Sequence, residues 1–291
     1  MSDITLGIIG GGQLGSMLAI AAKKLNIKTV IFCDDGDAPA QNFCSKFIYG
    51  AYSDREKILE FIQQVDIVTF EFENIPYETL DEINKSKSVL PKPSVNRLIQ
   101  HRLAEKDFVN KLNIRTTRYV SIEKKSDIES LEDFLPGILK TMTLGYDGKG
   151  QHPIKSIEDL NLLNIDFSKG YILEKLVKLK KEISIIITRF KNQKYEIYEP
   201  IENTHQDQIL KYSKIPANID NKIFDQSKDW AISIAEELKY VGTLCVEFFI
   251  DKNDNLYVNE IAPRVHNSGH LTINAYNVSQ FENHVRAVCG L

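Results

Sequence analysis

The sequence predicts a protein of class α/β and α+β, in which an N-terminal parallel, Rossmann-like α/β domain precedes a larger mixed domain. Strands and helices alternate over the first part of the chain, as they do in parallel sheets covered by helices. The alternation is lost after Pro91 and Pro93, which bracket a linker. A length of 291 residues suits two domains, which we place at residues 1–96 and 97–291.

The N-terminal part contains short apolar segments and amphipathic segments in turn. Strands are predicted over residues 4–9, 29–33 and 67–72, which are apolar and bounded by turn residues. Helices are predicted over residues 16–25 and 55–64, where apolar side chains recur at helical spacing. In a parallel sheet of this kind, ligands bind at the carboxyl ends of the strands.

The second part mixes helices with strands that no longer alternate. Ser94 is predicted to cap the helix after the linker. Two apolar runs around a polar turn predict a hairpin from residue 243 to residue 262. The other predicted elements are helices over 97–112 and 225–238 and strands near 115–120, 136–141, 171–175, 183–190 and 194–199.

Composition and charge exclude several classes of function. A net charge of -4 argues against sequence-independent binding of nucleic acid, which requires a basic surface. No apolar run reaches the roughly 18 residues of a membrane span, and the N-terminus lacks a signal-peptide pattern. Cys33, Cys44, Cys245 and Cys289 form no CxxC pair, which is typical of reduced thiols. We therefore expect a cytoplasmic protein without nucleic-acid or membrane partners.

A glycine-rich turn, Gly10-Gly11-Gly12-Gln13-Leu14-Gly15, connects the first strand to the first helix. It fits the GxGxxG pattern, in which backbone N–H groups at a helix start hold a phosphate. Asp34 and Asp35 follow at about the 20-residue distance of NAD sites, so a dinucleotide oxidoreductase is one alternative. A tight turn without a ligand is another, because the motif alone is weak.

A second glycine-rich segment favours phosphoryl transfer over hydride transfer. Residues 141–151 read TMTLGYDGKGQ and follow a strand that ends in Lys140. Glycines let the backbone approach phosphate oxygens and let a lid close, while Lys140 and Lys149 add positive charge. A mobile surface hairpin is the alternative, because Asp-Gly is a common turn.

Two glutamates of the predicted hairpin indicate a metal site. If residue 251 pairs with residue 256, Glu247 lies opposite Glu260, with Cβ atoms about 5 Å apart. Two carboxylates at this short distance, among apolar neighbours, require a cation between them or a raised pKa in one of them. Mg²⁺ fits, because it binds one or two carboxylates together with substrate phosphates. An edge hairpin with solvated glutamates is the alternative.

A polar loop follows the second glutamate. Arg264, His266, Asn267 and Ser268 lie within five positions of one another. An arginine beside a magnesium nucleotide stabilises charge on the transferred phosphoryl group. For His270, an ordinary packing or capping role is equally compatible with the pattern.

The segment after the strand Tyr171 to Glu174 is a weaker candidate for nucleotide contacts. Its backbone could present N–H and C=O groups to an adenine edge, and Glu182 could bind ribose hydroxyls. The charge run 178–182 could equally form a solvated turn.

Four segments together resemble the ATP-grasp superfamily, and within it the N5-carboxyaminoimidazole ribonucleotide synthetase (PurK) family. The last segment is specific, because many other ATP-grasp enzymes carry Asn where this chain has Ala262. The resemblance spans essentially the whole chain. It implies a pre-ATP-grasp domain followed by ATP-grasp subdomains at about 97–175 and 176–291. The four segments are GGGQLG at 10–15, EFENIP at 71–76, GYDGKGQ at 145–151 and NEIAPRVHNSGH at 259–270.

The resemblance also implies which residues contact each ligand. Mg²⁺ or Mn²⁺ would bind Glu247 and Glu260, and Arg264, Asp147, Tyr146, His266 and Asn267 would form the catalytic group. ATP would contact Arg102, Lys140, Gly145, Tyr146, Asp147, Gly148, Lys149, Gly150, Gln151, Glu174, Lys175, Leu176, Val177, Glu182, His205, Asn259 and Glu260. The substrate, 5-aminoimidazole ribonucleotide, would lie against Gly12, Gln13, Leu14, Glu73, Tyr146, Asp147, Arg264, His266 and Asn267.

The implied reaction has two steps. Bicarbonate, the co-substrate, attacks the γ-phosphate of ATP to give carboxyphosphate and ADP, and the substrate amine then attacks carboxyphosphate or released CO2. Asp147 would position or deprotonate the amine, and Arg264 and the metals would offset negative charge. Closure of the glycine lid would exclude water from the intermediate. The resemblance further implies a homodimer and transfer of the product to a mutase.

The sequence departs from the family in two respects. Family members continue beyond the position of Leu291 into a small β-rich domain whose basic residues bind the substrate phosphate. Lys149 stands where some relatives carry Arg, which matters only for a bidentate contact. Three alternative functions stay open: another ATP-grasp ligase, the dinucleotide oxidoreductase, and a non-catalytic nucleotide-binding protein.

Overall fold

The computed structural model describes residues 4–143, 150–163, 165–206 and 208–291. The described residues form one parallel sheet and two antiparallel sheets, each with helices packed on it. This arrangement confirms the predicted succession of a parallel α/β part and a mixed part. None of the described helices combines the length and the apolar character that a membrane crossing requires.

The parallel sheet has the strand order β3-β2-β1-β4. Ile8, Phe32 and Phe70 of its strands are completely buried. Strand β3 was not predicted, and β4 ends two residues earlier than predicted. The strands are β1 Thr5–Ile9, β2 Lys28–Cys33, β3 Lys46–Tyr49 and β4 Ile67–Phe70.

The helices of this part pack on the parallel sheet. The first begins three residues before the predicted start, directly after the glycine turn. Asp54 caps the second by accepting hydrogen bonds from the N–H groups of Glu56 and Lys57. The helices are α1 Gln13–Lys24, α2 Arg55–Ile62 and α3 Tyr77–Asn84.

The predicted helix over 97–112 is wrong, because two helices occupy this region: α4 Pro93–Ile99 and α5 Arg102–Lys111. His101 is extended between them, and its ring nitrogen accepts a hydrogen bond from the N–H of Ala104. Ser94 does not cap α4. The helix instead begins at Pro93, whose fixed φ suits a first helical position.

A four-stranded antiparallel sheet follows, with the strand order β5-β8-β6-β7. Ile122, Leu139 and Leu173 form its core with the helix α6. The predicted strands near 136–141 and 171–175 are confirmed, whereas β5 begins later than predicted. The elements are β5 Tyr119–Ile122, β6 Gly137–Thr141, β7 Gln151–Ile154, α6 Ile157–Leu162 and β8 Tyr171–Lys175.

The largest sheet has the order β12-β11-β9-β13-β14, with β10 paired to β9. Ile185, Ile187 and Val246 belong to a core that the sheet shares with α7. Strands β11 and β12 were not predicted. The elements are β9 Leu179–Arg189, β10 Tyr195–Ile197, β11 Ile201–Gln206, β12 Ile209–Lys214, α7 Asn221–Glu237, β13 Gly242–Asp251 and β14 Leu256–Ala262.

The C-terminal helices join the two parts of the molecule. A 3-10 helix, Asn267–Leu271, leads into α8 Thr272–Ala275 and α9 Gln280–Cys289. Phe281, Val285 and Val288 of α9 are buried in the core of the parallel sheet. The same helix contacts β9 and β13 of the large sheet, so the two sheets are held in contact through α9.

Candidate functional site

The site is built around the hairpin of β13 and β14, where Glu247 and Glu260 face each other. This predicted pairing is confirmed, although the assumed turn register is wrong, because Ile250 rather than residue 251 pairs with Leu256. A β-bulge next to Glu247, with Asn259 as the extra residue, shifts the register by one residue and so restores the predicted pairing of the two glutamates. Bulges re-aim side chains beside functional sites, and this one brings the two carboxylates to the same position.

The two glutamates lie in different surroundings. Burial, and then the charge of Glu260, raises the pKa of Glu247 well above its ordinary value. Glu260 is 41% exposed at its side chain, and one of its carboxylate oxygens is 3.8 Å from a guanidinium nitrogen of Arg102. Among the described residues, the buried side-chain oxygen of Asn259 has no hydrogen-bond partner. Unsatisfied oxygen ligands beside a strained carboxylate pair fit a divalent cation.

A third acid, Glu105, lies beneath this pair and was not predicted. It is almost completely buried on α5, and its carboxylate accepts a hydrogen bond of 2.6 Å from the N–H of Ile261. Burial, and then the charge of Glu260, raises the pKa of Glu105 to about 7. The signal in the sequence was that Glu105 falls on the same helical face as Val109.

A buried cluster of two lysines and one glutamate joins α5 to the four-stranded sheet. The Glu174 carboxylate lies 3.0 Å from the Nζ of Lys140 and 3.1 Å from the Nζ of Lys106. Thr117 donates to the same carboxylate at 2.8 Å. Burial opposes ionisation, but the two lysines outweigh it and lower the pKa of Glu174 to about 2. Lys106 was not predicted, because a lysine beside Glu105 resembles a solvated helix face.

The backbone after β8 differs from its prediction. The N–H of Lys175 donates to the carbonyl of Arg118 and the N–H of Leu176 to that of Pro136, at 2.8 and 2.9 Å. Both donors are therefore already used within the protein, and the expectation of free N–H groups for an adenine is wrong for these two residues.

Glu182 and His205 are brought together across β9 and β11. A carboxylate oxygen of Glu182 lies 2.6 Å from the Nδ1 of His205, and this close contact with a carboxylate raises the pKa of the histidine. Residues 179–189 form one strand, so the interpretation of 178–182 as a solvated turn is wrong.

Arg264 is paired with Glu73 rather than standing free. Its Nε and one terminal nitrogen both bond the carboxylate, the latter at 3.1 Å, and its other terminal nitrogen donates to the carbonyl of Val265. Although burial opposes both charges, this pairing lowers the pKa of Glu73 and raises that of Arg264. The guanidinium is thereby fixed between the N-terminal part and β14.

The loop after β14 presents His266 to the metal-site glutamates. Its Nε2 lies 3.3 Å from a carboxylate oxygen of Glu247, and its Nδ1 lies 2.9 Å from the hydroxyl of Ser268. Burial lowers the pKa of His266 to about 3, so the ring is neutral. His270 packs edge-on against Phe281, which agrees with the packing role.

The glycine turn encloses a carboxylate. The N–H of Gly12 donates to Glu71 at 2.8 Å, and a Cβ at Gly10 would lie 2.8 Å from the same side chain. Burial raises the pKa of Glu71. The N–H of Gly12 is therefore already bonded to a carboxylate, where the GxGxxG pattern would place a phosphate, and the side chain of Leu14 is buried in the core.

Many of these groups line one cavity of about 830 Å³. Its wall also contains Glu105 and residues 209–213 of β12, which were not predicted. Gly12, Leu14, Lys140, Gly150 and Glu174 to Val177 do not line it. Gly145, Tyr146, Asp147, Gly148 and Lys149 lie outside the described residues. The predicted residues that line it are Gln13, Glu73, Arg102, Gln151, Glu182, His205, Glu247, Asn259, Glu260, Arg264, His266 and Asn267.

Two protein families match the chain. The ribonucleotide synthetase preATP-grasp domain matches residues 3–100, and the ATP-grasp domain matches residues 107–281. Fold and site thus define an enzyme of the ATP-grasp class, and the predicted class of ATP-dependent ligase is confirmed.

Individual relatives narrow this class. N5-carboxyaminoimidazole ribonucleotide synthase of Brucella melitensis is 38% identical over 292 residues, covering 99% of this chain and 81% of the relative. The Bacillus subtilis synthase is 39% identical over 290 residues, covering 98% and 76%. The chain belongs to the N5-carboxyaminoimidazole ribonucleotide synthase family.

Solved structures agree with this assignment. The Staphylococcus aureus synthetase complexed with ADP has a TM-score of 0.93 and 37% identity, with coverage of 99% of this chain and 77% of the other. The Aspergillus clavatus synthase in complex with ADP and 5-aminoimidazole ribonucleotide has a TM-score of 0.90 and 27% identity, with the same coverage. The oxidoreductase alternative is therefore wrong.

Proposed function

We propose that this chain carboxylates 5-aminoimidazole ribonucleotide with bicarbonate and ATP in de novo purine biosynthesis. The products are N5-carboxyaminoimidazole ribonucleotide, ADP and phosphate, with carboxyphosphate as the intermediate. Family membership supports the proposal, as does the Aspergillus clavatus synthase, whose complex contains ADP and the same ribonucleotide. The observation that carries it is the facing pair Glu247 and Glu260 in a cavity that also contains the fixed Arg264.

The nucleotide and its metal would occupy the side of the cavity formed by β9, β11 and the hairpin. Glu247 and Glu260 would hold Mg²⁺ or Mn²⁺, with the oxygen of Asn259 beside them. Such an ion polarises phosphoryl oxygens and neutralises charge. Arg102, Gln151, Glu182 and His205 line the same cavity, and Lys140 would act from the buried cluster with Glu174. Gly145 to Gly150 complete the proposed nucleotide contacts, together with the groups of Lys175 to Val177 other than the N–H groups of Lys175 and Leu176, which are already bonded within the protein.

The ribonucleotide would lie at the junction with the N-terminal part. Gln13 and Glu73 face the cavity there, and Gly12 and Leu14 belong to the same turn. Tyr146 and Asp147 are proposed to reach the amine from the lid. Because Glu73 already holds Arg264 in a bidentate pair, a substrate group that bonds Glu73 would also set the position of the guanidinium.

In addition to the lid residues, three side chains would take part in the reaction. Arg264 is a permanent cation in a largely buried position, so it can stabilise an anion that develops beside it. His266 is neutral, so it can orient a group by hydrogen bonding without adding charge. Asn267 offers an amide at the same wall. Closure of residues 145–151 would exclude water from carboxyphosphate.

We make further proposals for the oligomeric state, the cellular location and the fate of the product. We place the chain in the cytoplasm as a homodimer whose product is consumed by a mutase. We also propose the domain division at residues 96 and 97, which falls within α4, with subdomains meeting near residue 175; the three separate sheets support a division into three parts.

The proposal is tested by release of ADP and by transfer of labelled bicarbonate to the ribonucleotide. We expect ADP release that depends on both bicarbonate and 5-aminoimidazole ribonucleotide, with one label in the product for each ADP. Bicarbonate-dependent ADP release that is indifferent to the ribonucleotide would indicate another ATP-grasp ligase. No ADP release under any condition would indicate a non-catalytic nucleotide-binding protein.

A further inference from the structure

Cys245, Glu247 and His266 bring three different ligand atoms together at the wall of the cavity. A sulfur, a carboxylate oxygen and an imidazole nitrogen all lie within 4.8 Å of one another. Cys245 and Glu247 are two positions apart on β13, so their side chains point to the same face of the sheet. His266 reaches this face from the loop that follows β14.

We propose that Cys245, Glu247 and His266 form a Zn²⁺ site that shares Glu247 with the proposed Mg²⁺ site. One thiolate, one imidazole and one carboxylate make a ligand set of the kind that Zn²⁺ binds in four-coordinate sites. Mg²⁺ takes oxygen ligands in octahedral geometry and has no preference for sulfur or nitrogen. The ligand types therefore determine which ion each site prefers, although the two sites share Glu247.

Neighbouring groups hold the ring of His266 in place beside Glu247. The Nδ1 of His266 lies 2.9 Å from the hydroxyl of Ser268, which in turn lies 2.8 Å from the hydroxyl of Ser184. This leaves Nε2 facing Glu247 at 3.3 Å. In the metal-free chain the backbone N–H of Ser268 also donates to this Nδ1, at 3.3 Å, so the ring proton lies on Nε2. Zinc binding at Nε2 would move this proton to Nδ1, which could then donate it to the hydroxyl of Ser268, as metal-binding histidines commonly do with their second ring N–H.

The arrangement has one open side. The side chains of Glu247 and His266 are 14% and 12% exposed and line the cavity, whereas Cys245 is completely buried behind them. A zinc ion would enter from the cavity, and its fourth position would face the cavity and take water. Binding releases the thiol proton of Cys245 to solvent, so one proton leaves for each ion bound at that ligand.

Sharing Glu247 has a consequence for activity. A zinc ion held by Cys245 and His266 would withdraw Glu247 from the position opposite Glu260. Zn²⁺ is therefore expected to inhibit the enzyme in competition with Mg²⁺, and the inhibition should require the thiol. Substituting Cys245 should relieve it, because Cys245 has no part in the proposed reaction.

The test is Zn²⁺ binding to the metal-free full chain, measured by competition with a chelating dye. The variants are Cys245→Ser and the control Cys44→Ser, which removes a more exposed thiol far from the cavity. We expect one Zn²⁺ per chain for the wild type and Cys44→Ser, and at least about tenfold weaker binding for Cys245→Ser. Equal affinity in Cys245→Ser would overturn the proposal.

Co²⁺ gives a second readout that does not depend on activity. The wild type should show a sulfur-to-cobalt charge-transfer band that is absent in Cys245→Ser and present in Cys44→Ser. Absence of the band from the wild type would refute thiolate ligation. If Cys245→Ser unfolds, Cys245→Ala replaces it in both measurements. Because neither measurement uses ATP or the ribonucleotide, failure of the zinc site leaves the proposed carboxylation untouched.

Discussion

At the scale of single residues, the two hairpin glutamates are unequal although they face one another. Glu247 is buried against Cys245 and His266, and its pKa is raised, whereas Glu260 is partly exposed and close to Arg102. A substitution at Glu260 therefore disturbs packing less than one at Glu247, and it isolates the proposed metal role.

The variant Glu260→Gln keeps the side-chain volume and removes one metal-binding charge. We expect turnover to fall by at least about 100-fold while the fold is kept, because charge stabilisation at the transferred phosphoryl group is lost. ADP release at saturating Mg²⁺ measures turnover, and circular dichroism checks the fold. Glu196→Gln, exposed on β10, is the matched control. Near-normal turnover in Glu260→Gln would contradict the metal role.

The variant Arg264→Lys keeps the charge but loses the bidentate pair with Glu73. We expect the rate to fall by about two to three orders of magnitude, as for lost stabilisation of a developing anion. The control is Arg286→Lys, which alters an arginine–carboxylate pair on α9 away from the cavity. A decrease of less than about fivefold would count against the role of Arg264.

The residue-scale predictions were right where the spacing was informative. Glu247 and Glu260 were paired correctly because two errors cancelled: the turn is offset by one residue, and the bulge at Asn259 restores the register. Glu105 and Lys106 were missed, since adjacent charges on a short helix normally indicate a solvated face. Only their contacts with β14 and Glu174 make them buried.

At the scale of elements, α5 supports both the hairpin and the four-stranded sheet. Glu105 bonds the backbone of β14, and the adjacent Lys106 pairs with Glu174 on β8. This short helix thus fixes the base of the metal-site hairpin and the side chain that holds Lys140. Damage to α5 is therefore expected to affect both sides of the cavity.

Replacing Lys106 by Met tests this connection. In this variant Glu174 keeps its ion pair with Lys140 but loses its ion pair with Lys106. We therefore expect the free energy of unfolding to fall by about 1–3 kcal/mol. Urea denaturation measures the change, and Lys111→Met, at the exposed end of α5, is the control. A loss below about 0.5 kcal/mol, the range of ordinary surface substitutions, would show that Lys106 is dispensable.

Element predictions failed where local chemistry overrode the pattern. The helix over 97–112 was predicted as continuous, but His101 adopts an extended backbone and caps α5 with its own ring. Strands β11 and β12 read IENTHQ and ILKYSK, and neither shows clean alternation of apolar and polar residues. They line a polar cavity on one side, which removes the signal that a buried strand face would give.

At the scale of the whole molecule, His284 of α9 connects the two major sheets. Its Nδ1 accepts a hydrogen bond from the N–H of Thr243 on β13, so its Nε2 carries the proton and donates to the hydroxyl of Thr69 on β4. Burial lowers the pKa of His284 to about 4. The neutral ring therefore belongs to the folded state.

This shift predicts a dependence of stability on pH. The contribution of the neutral ring is complete above the unfolded pKa of about 6.5 and is lost as the pH falls from there towards about 4, where the folded protein also binds the proton. Between about pH 7 and about pH 5 we expect a loss of about 2 kcal/mol from this group. Urea denaturation should show that His284→Asn lacks this part of the dependence. If the variant keeps the same pH dependence of stability as the wild type, groups other than His284 cause it.

The overall architecture was largely predictable, because alternation of strands and helices over the first part requires a parallel sheet. The joining role of α9 was not, since it depends on which core the apolar residues Phe281, Val285 and Val288 enter. The sequence shows that these residues form an apolar helical face, but it does not show which sheet that face covers.

The placement of the divalent ion is tested most directly by a crystal structure of the full chain with a non-hydrolysable ATP analogue and Mn²⁺. Mn²⁺ gives an anomalous signal and replaces Mg²⁺ at oxygen ligands. We expect an anomalous peak between the carboxylates of Glu247 and Glu260, in contact with the triphosphate in the same cavity. A bound nucleotide whose Mn²⁺ lies away from both glutamates would contradict the account.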